Sequence, residues 1–255
     1  MRMTSHPALL AAALLAISAA PVQAGVLTLS DAYAGQNPGS AKNNGDVIGL
    51  LRQFDIDSIS FNLLGGGAVQ INVRMNYGQN GGDTTLSGIN VGSFPTVHPG
   101  DILVSSGGSQ WAIPLITHND STPGIADLTA GNLYSVSGFL TSAAVLNNTH
   151  AGNYRPLEYV WGASAGAVKQ NTGDGSVAAT LIGGSEINVA INFTTADANF
   201  LNAFSGSGSY VQFAAATCAN DLVAGNPVPE PMTLSLIGAG LLGLGLLKRK
   251  RPENR

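Results

Sequence analysis

Polar and apolar residues alternate along much of this chain, and two stretches do so almost without a break. From Ala68 to Tyr77, Val69, Ile71, Val73, Met75 and Tyr77 interleave with Gln70, Asn72, Arg74 and Asn76. From Glu186 to Phe193, Ile187, Val189, Ile191 and Phe193 interleave with Asn188, Ala190 and Asn192. A period of two sends successive side chains to opposite faces, so each stretch predicts an antiparallel strand with one face on a core. Weaker patterns predict strands over 26–30, 55–64, 101–105, 111–116, 133–140, 158–161, 177–182 and 210–216. Turn clusters separate them: Gly65-Gly66-Gly67, the run 78–83, Ser106-Gly107-Gly108, the run 171–175 and Gly183-Gly184. Roughly ten short strands at this spacing predict an all-β fold, a single antiparallel β-sandwich or jelly-roll-like domain over 25–223. Residues 99–111 read as a hairpin around Gly107-Gly108. One helix is predicted after Thr194 or Thr195 as cap, with Asp197 at its positive end. Ala198, Phe200, Leu201 and Phe204 form its apolar stripe, and Gly206 ends it.

Both ends of the chain depart from this pattern. Residues 1–24 have a basic start at Arg2, an apolar run from Ala8 to Ala20, and Val22-Gln23-Ala24 as a small-x-small site. That order predicts a secretory signal peptide cleaved after Ala24. At the other end, a linker over 224–228 precedes Pro229-Glu230-Pro231, an apolar run from Met232 to Leu247, and Lys248-Arg249-Lys250-Arg251. As a helix, 232–247 spans about 24 Å, short against a hydrocarbon core of about 30 Å. Gly238, Gly240, Gly243 and Gly245 weaken it further. The basic cluster resists translocation, which leaves the Pro-Glu-Pro stretch on the outer side. Its prolines hold it extended and outside the helix, as a protease cleft requires.

This tail resembles the PEP-CTERM signal of Gram-negative bacteria that possess an exosortase. The resemblance covers about a tenth of the chain. It implies cutting by an exosortase near Pro229, Glu230 and Pro231, passage through the membrane during processing, and delivery to the cell envelope. It also implies an exopolysaccharide or biofilm setting. The alternative for the tail is a plain C-terminal membrane anchor. The hairpin 99–111 and the segment 217–221 look similar to parts of uncharacterised exosortase-dependent surface proteins, with no activity attached.

Charge narrows the partners. Between Gly25 and Val228 the basic residues are Lys42, Arg52, Arg74, Arg155 and Lys169 against 13 acidic ones, a balance of 5 − 13 = −8. Nucleic acid binding needs clustered Lys and Arg, so it is excluded as a role for this body. Cys218 is the only cysteine, which rules out an internal disulfide despite the export route. A buried thiol is the expected role, with an intermolecular bridge or nucleophile as alternatives.

Candidate chemistry is sparse. Gly162-Ala163-Ser164-Ala165-Gly166 fits the nucleophile-elbow pattern, but Gly173 and Gly175 leave little room for the helix that mechanism requires. His98, His118 and His150 lie in turn-like settings without metal-ligand spacing, and are expected to be solvated loop residues. Asp55, Asp57, Asp83, Asp120 and Asp174 offer loop oxygens for calcium, with no favoured site. Trp111, Tyr134, Tyr154, Tyr159 and Trp161 are core aromatics or a platform for sugar rings. The sequence therefore predicts a non-catalytic exported protein, structural or adhesive in the envelope, with no cofactor. The rivals are a carbohydrate-binding module and a secreted serine hydrolase.

Overall fold

The computed structural model describes residues 26–31, 43–44, 47–48, 50–90, 96–118, 127–146, 157–162, 169–204, 208–219 and 221–229. The predicted leader and most of the tail lie outside this set. In chain order the elements are β1 (Leu27–Ser30), β2 (Asn43–Asn44), β3 (Val47–Ile48), α1 (Leu51–Phe54), β4 (Ile56–Gly65), β5 (Ala68–Asn76), β6 (Ile102–Ser106), β7 (Ser109–Ile113), β8 (Leu133–Val136), β9 (Phe139–Thr141), α2 (Ser142–Val145) and β10 (Tyr159–Gly162). There follow β11 (Lys169–Gly183), β12 (Glu186–Thr195), α3 (Ala198–Ala203), β13 (Ser209–Ala214), β14 (Leu222–Gly225) and β15 (Val228–Pro229).

Eleven strands form one sheet in the order β14-β13-β6-β7-β8-β11-β12-β5-β4-β1-β15, antiparallel at every pairing. The sheet curls until β14 lies against β1 and β4, which brings its two ends together. The all-β, antiparallel expectation holds, but the two separate sheets of a sandwich are replaced by one sheet bent close to a barrel. Twist accumulates from strand to strand, so a sheet this wide closes on itself and encloses its own core.

The two alternating stretches supply the centre of that core. In β12, Ile187, Val189 and Ile191 lie opposite Met75, Val73 and Ile71 of β5, and β4 adds Ile59 and Phe61 in the same rows. All are buried, each burial worth about 1.5–3 kcal/mol. A one-residue slip would turn the whole row outward, so the pattern fixes the register. The hairpin read from 99–111 is β6–β7, turning at Gly107 and Gly108, whose φ values of 56° and 84° suit a two-residue turn.

Three local readings shift. Residues 171–175, read as a turn, belong to β11, which bulges between Asn171 and Gly173 and continues. The predicted helix is α3, but Asp197 is its cap, accepting from the amides of Asn199 and Phe200. Thr195 ends β12 and its hydroxyl accepts from Asp197 N. The segment 224–228, read as a linker, carries the end of β14, paired with β13, and the start of β15, paired with β1. Its five residues carry no alternation and include Gly225 and Pro227, which hid the end of one strand and the start of another whose partner, β1, is distant in the chain.

A β9–β10 ribbon packs on the outer face of the sheet. Gly162 makes this possible, since a Cβ there would collide with that of Ala112. Val145, Val160, Trp161, Ala214, Ala219 and Leu222 form a small separate core beneath the ribbon.

Candidate functional site

The sorting segment meets the body at a defined place. Pro229 lies opposite Leu27, so the last described residue of the chain sits beside the first strand. Proline lacks an N–H to offer a further strand, which suits a sheet edge. Glu230, Pro231, the apolar run 232–247, Lys248, Arg249, Lys250, Arg251 and the Ala24 cleavage site lie outside the described residues. Among those described, no helix is long and apolar enough to cross a membrane.

Ser164, His150, Tyr154 and Asp120 also lie outside the described residues. The remaining histidines are not the solvated loop residues expected. His118 is buried, its Nε2 2.9 Å from Asp101 Oδ1, and its ring rests on Trp161 with centroids 4.1 Å apart. The approach has the distance of an ion pair without the alignment of a hydrogen bond. Asp101 Oδ2 accepts from Gly162 N at 2.8 Å, and Asp101 N donates to Val160 O. The pair thus pins the β9–β10 ribbon to the start of β6. His98 is partly buried, and that burial, with His118 nearby, holds its pKa below the ordinary 6.5. The β6–β7 pairing brings the two ends of that hairpin together, but the burial of Asp101 and His118 comes from β10 packing over them, which the sequence could not show.

The aromatics divide. Trp111 is buried and donates from Nε1 to Asp197 Oδ2 at 2.9 Å, edge-on to Phe200. Trp161 is buried under the ribbon, and Tyr134 is buried with its hydroxyl accepting from Thr129 N. Tyr159 remains 44% exposed, and Tyr210, not singled out from sequence, is 40% exposed. Gln212 of β13 donates to Tyr159 O, so these two rings belong to contacting elements. Burial, with Glu158 nearby, raises the pKa of Tyr210. Cys218 is buried in the main core.

Closure of the sheet gathers three carboxylates. Asp31 follows β1, Asp55 precedes β4 and Asp221 precedes β14, each with an oxygen within 4.8 Å of the others. Asp221 is fully buried and accepts from Ile56 N at 2.5 Å and Leu222 N at 2.8 Å. Asp55 Oδ2 accepts from Asn76 Nδ2. These are hard oxygen donors of the kind calcium takes. Asp57, Arg74 and Glu186 line a cleft beside Asp55, with Arg74 bound to Glu186 at 2.7 Å. Asp55 and Asp57 were readable as loop acids; Asp31 and Asp221 were not, since only the curl of the sheet brings them near.

No curated protein and no solved structure matches the chain. Residues 227–250 match the family model described as the PEP-CTERM protein-sorting motif, which implies export and exosortase processing at the membrane.

Proposed function

We propose that this is an exported protein whose tail is cut by an exosortase near Pro229-Glu230-Pro231. The body is then left in the cell envelope as a structural or adhesive component of an exopolysaccharide layer. The match over 227–250 carries the sorting part of this reading. Two features of the body support it. Its −8 balance between Gly25 and Val228 favours a hydrated, non-nucleic-acid setting. The β1–β15 pairing also sets Leu27, three residues after the predicted leader cut, beside Pro229 at the start of the Pro-Glu-Pro stretch. Lys248, Arg249, Lys250 and Arg251 hold the far end in the cytoplasm while 232–247 pauses in the membrane.

Intact-mass measurement of the chain from cells with and without exosortase tests this. The expected result is loss of the mass beyond the motif only when the enzyme is present. Retention of 232–247 in both would reduce the tail to an anchor.

A second reading is a carbohydrate-binding body, favoured by exposed Tyr159 and Tyr210 on contacting elements. Sugar rings stack on such faces. A glycan array probed with the full chain and with a Tyr159→Ala, Tyr210→Ala variant separates the readings. Equal signals from both proteins would remove the second.

A further inference from the structure

The longest strand carries an edge that the described chain leaves open. β11 pairs with β8 only from Lys169 to Gly173, whereas its pairing with β12 continues to Gly183. Asn132 covers the first step beyond, accepting from Gly175 N through Oδ1. From Val177 onward, no described residue hydrogen-bonds to the backbone on that side. Strand geometry decides which groups face outward. Gly175 N points away from β12 to Asn132, and N–H directions alternate along a strand. The N–H and C=O groups of Val177, Ala179 and Leu181 therefore all point outward.

Natural sheets guard such edges with proline, charge or brevity. Pro229 does so at β15. Residues 175–185 contain no proline and no charge, and Leu181 and Ile182 are 55% and 48% exposed. Among the described residues this edge is unguarded, on a body that otherwise carries excess negative charge.

We propose that the β11 edge pairs antiparallel with the same edge of a second copy, about a two-fold axis at Ala179. The strand is complementary to itself in this register. Ala179 faces Ala179, and Val177 faces Leu181 of the other copy on the core side of the sheet. On the outer side Ala178 faces Thr180, and Ser176 faces Ile182. Each facing pair of outward residues exchanges two hydrogen bonds. Asp174 meets Gly184, so no like charges oppose. A charged strand from another protein would gain only main-chain hydrogen bonds from so neutral a row, whereas a second copy adds facing small, apolar and hydroxyl side chains with no unpaired charge. The contact is small against the roughly 800 Å² per partner of a stable dimer. The pair therefore forms where copies are crowded, as on a surface. The inference rests on the edge and stands whether or not the tail is cut.

Site-directed cross-linking of the full chain in its own cells tests the register. On mild oxidation Ala179→Cys is expected to give a covalent dimer on a non-reducing gel, because a residue on the axis meets its own copy within disulfide reach. Val177→Cys alone is expected to stay monomeric, while Val177→Cys coexpressed with Leu181→Cys cross-links. Asn192→Cys, exposed on β12 inside the sheet, and the native chain with buried Cys218 serve as monomeric controls. Adding Leu181→Lys to Ala179→Cys should abolish the dimer, since it places a charge in the pairing row of an already exposed position. Absence of the Ala179→Cys dimer, its persistence with Leu181→Lys, or equal cross-linking by Asn192→Cys would each overturn the proposal.

Discussion

The contact between Trp111 and Asp197 makes a prediction that separates a core aromatic from a ligand platform. Asp197 does two things at once: Oδ1 caps α3 by accepting from the amides of Asn199 and Phe200, and Oδ2 takes the indole N–H of Trp111. Replacing it by alanine removes a cap worth about 1 kcal/mol. It also strands a buried indole donor, at a cost of about 1–3 kcal/mol. The total is about 3 kcal/mol, which in a domain of this size lowers Tm by roughly 6–12 °C. Asp197→Asn keeps the capping oxygen but turns an amide N–H toward the indole N–H, so it should lose the second component alone. A thermal or urea denaturation series on native, Asp197→Ala, Asp197→Asn, Trp111→Phe and the Asp197→Asn, Trp111→Phe double variant gives the coupling directly. The expected coupling is about 1–2 kcal/mol. If Asp197→Ala shifts stability by less than about 0.5 kcal/mol, the ordinary range for surface changes, the contact has been misjudged. Glycan binding, if measured, should be the same for Trp111→Phe as for the native chain, because the ring is not on the surface.

Other consequences follow from groups buried in or beside the core. Tyr77 is fully buried and donates to Ser87 O at 2.9 Å; burial first, then Asp83 and Cys218, push its pKa well above the ordinary 10.0. Above that pH the unfolded chain loses a proton that the folded chain keeps, so stability falls as pH rises through 10.0, and Tyr77→Phe should flatten the alkaline limb while costing about 1 kcal/mol at neutral pH. His98 shows the opposite limb: its folded pKa lies below 6.5, so the unfolded chain binds more protons as pH falls from that value and stability declines. His98→Gln should make a denaturation series between pH 7 and 5, roughly the titration range of histidine, less steep. Gly67 and Gly66 both have positive φ, 81° and 61°, but only at Gly67 would a Cβ collide with Thr195 O. Gly67→Ala should therefore be the more destabilising by about 1–3 kcal/mol in urea melts, and equal effects would contradict the close approach.

What the sequence revealed of this molecule depended on the range over which the determining forces act. Val69 to Met75 and Ile187 to Phe193 declared themselves because a buried face imposes its period within a single strand. The β6–β7 turn did so because two residues with positive φ are supplied by two glycines. Residues 222–229 were hidden for the opposite reason: Leu222 to Gly225 and Val228-Pro229 are strands only because β13 and β1 accept them. The outer half of β11 shows both effects at once. Its apolar residues 177–182 were legible as a strand, but its exposure is a property of β8 stopping at Leu133 and β12 continuing to Glu186.

The candidate sites follow the same division. The sorting motif is a contiguous signal, so its content lies in residue order, and the match over 227–250 was legible without any fold. The Asp101–His118 pair and the Asp31, Asp55 and Asp221 group are spatial, each joining segments separated by other strands. Burial turned two tryptophans from possible ligand contacts into packing, because Trp111 lies in the main core against Phe200 of α3 and Trp161, on the ribbon, lies in the small core between ribbon and sheet. Tyr159 on the ribbon and Tyr210 on β13 stay exposed. Among the described residues, then, these tyrosines offer a sugar ring an exposed aromatic face, and the two tryptophans that the sequence makes more conspicuous do not.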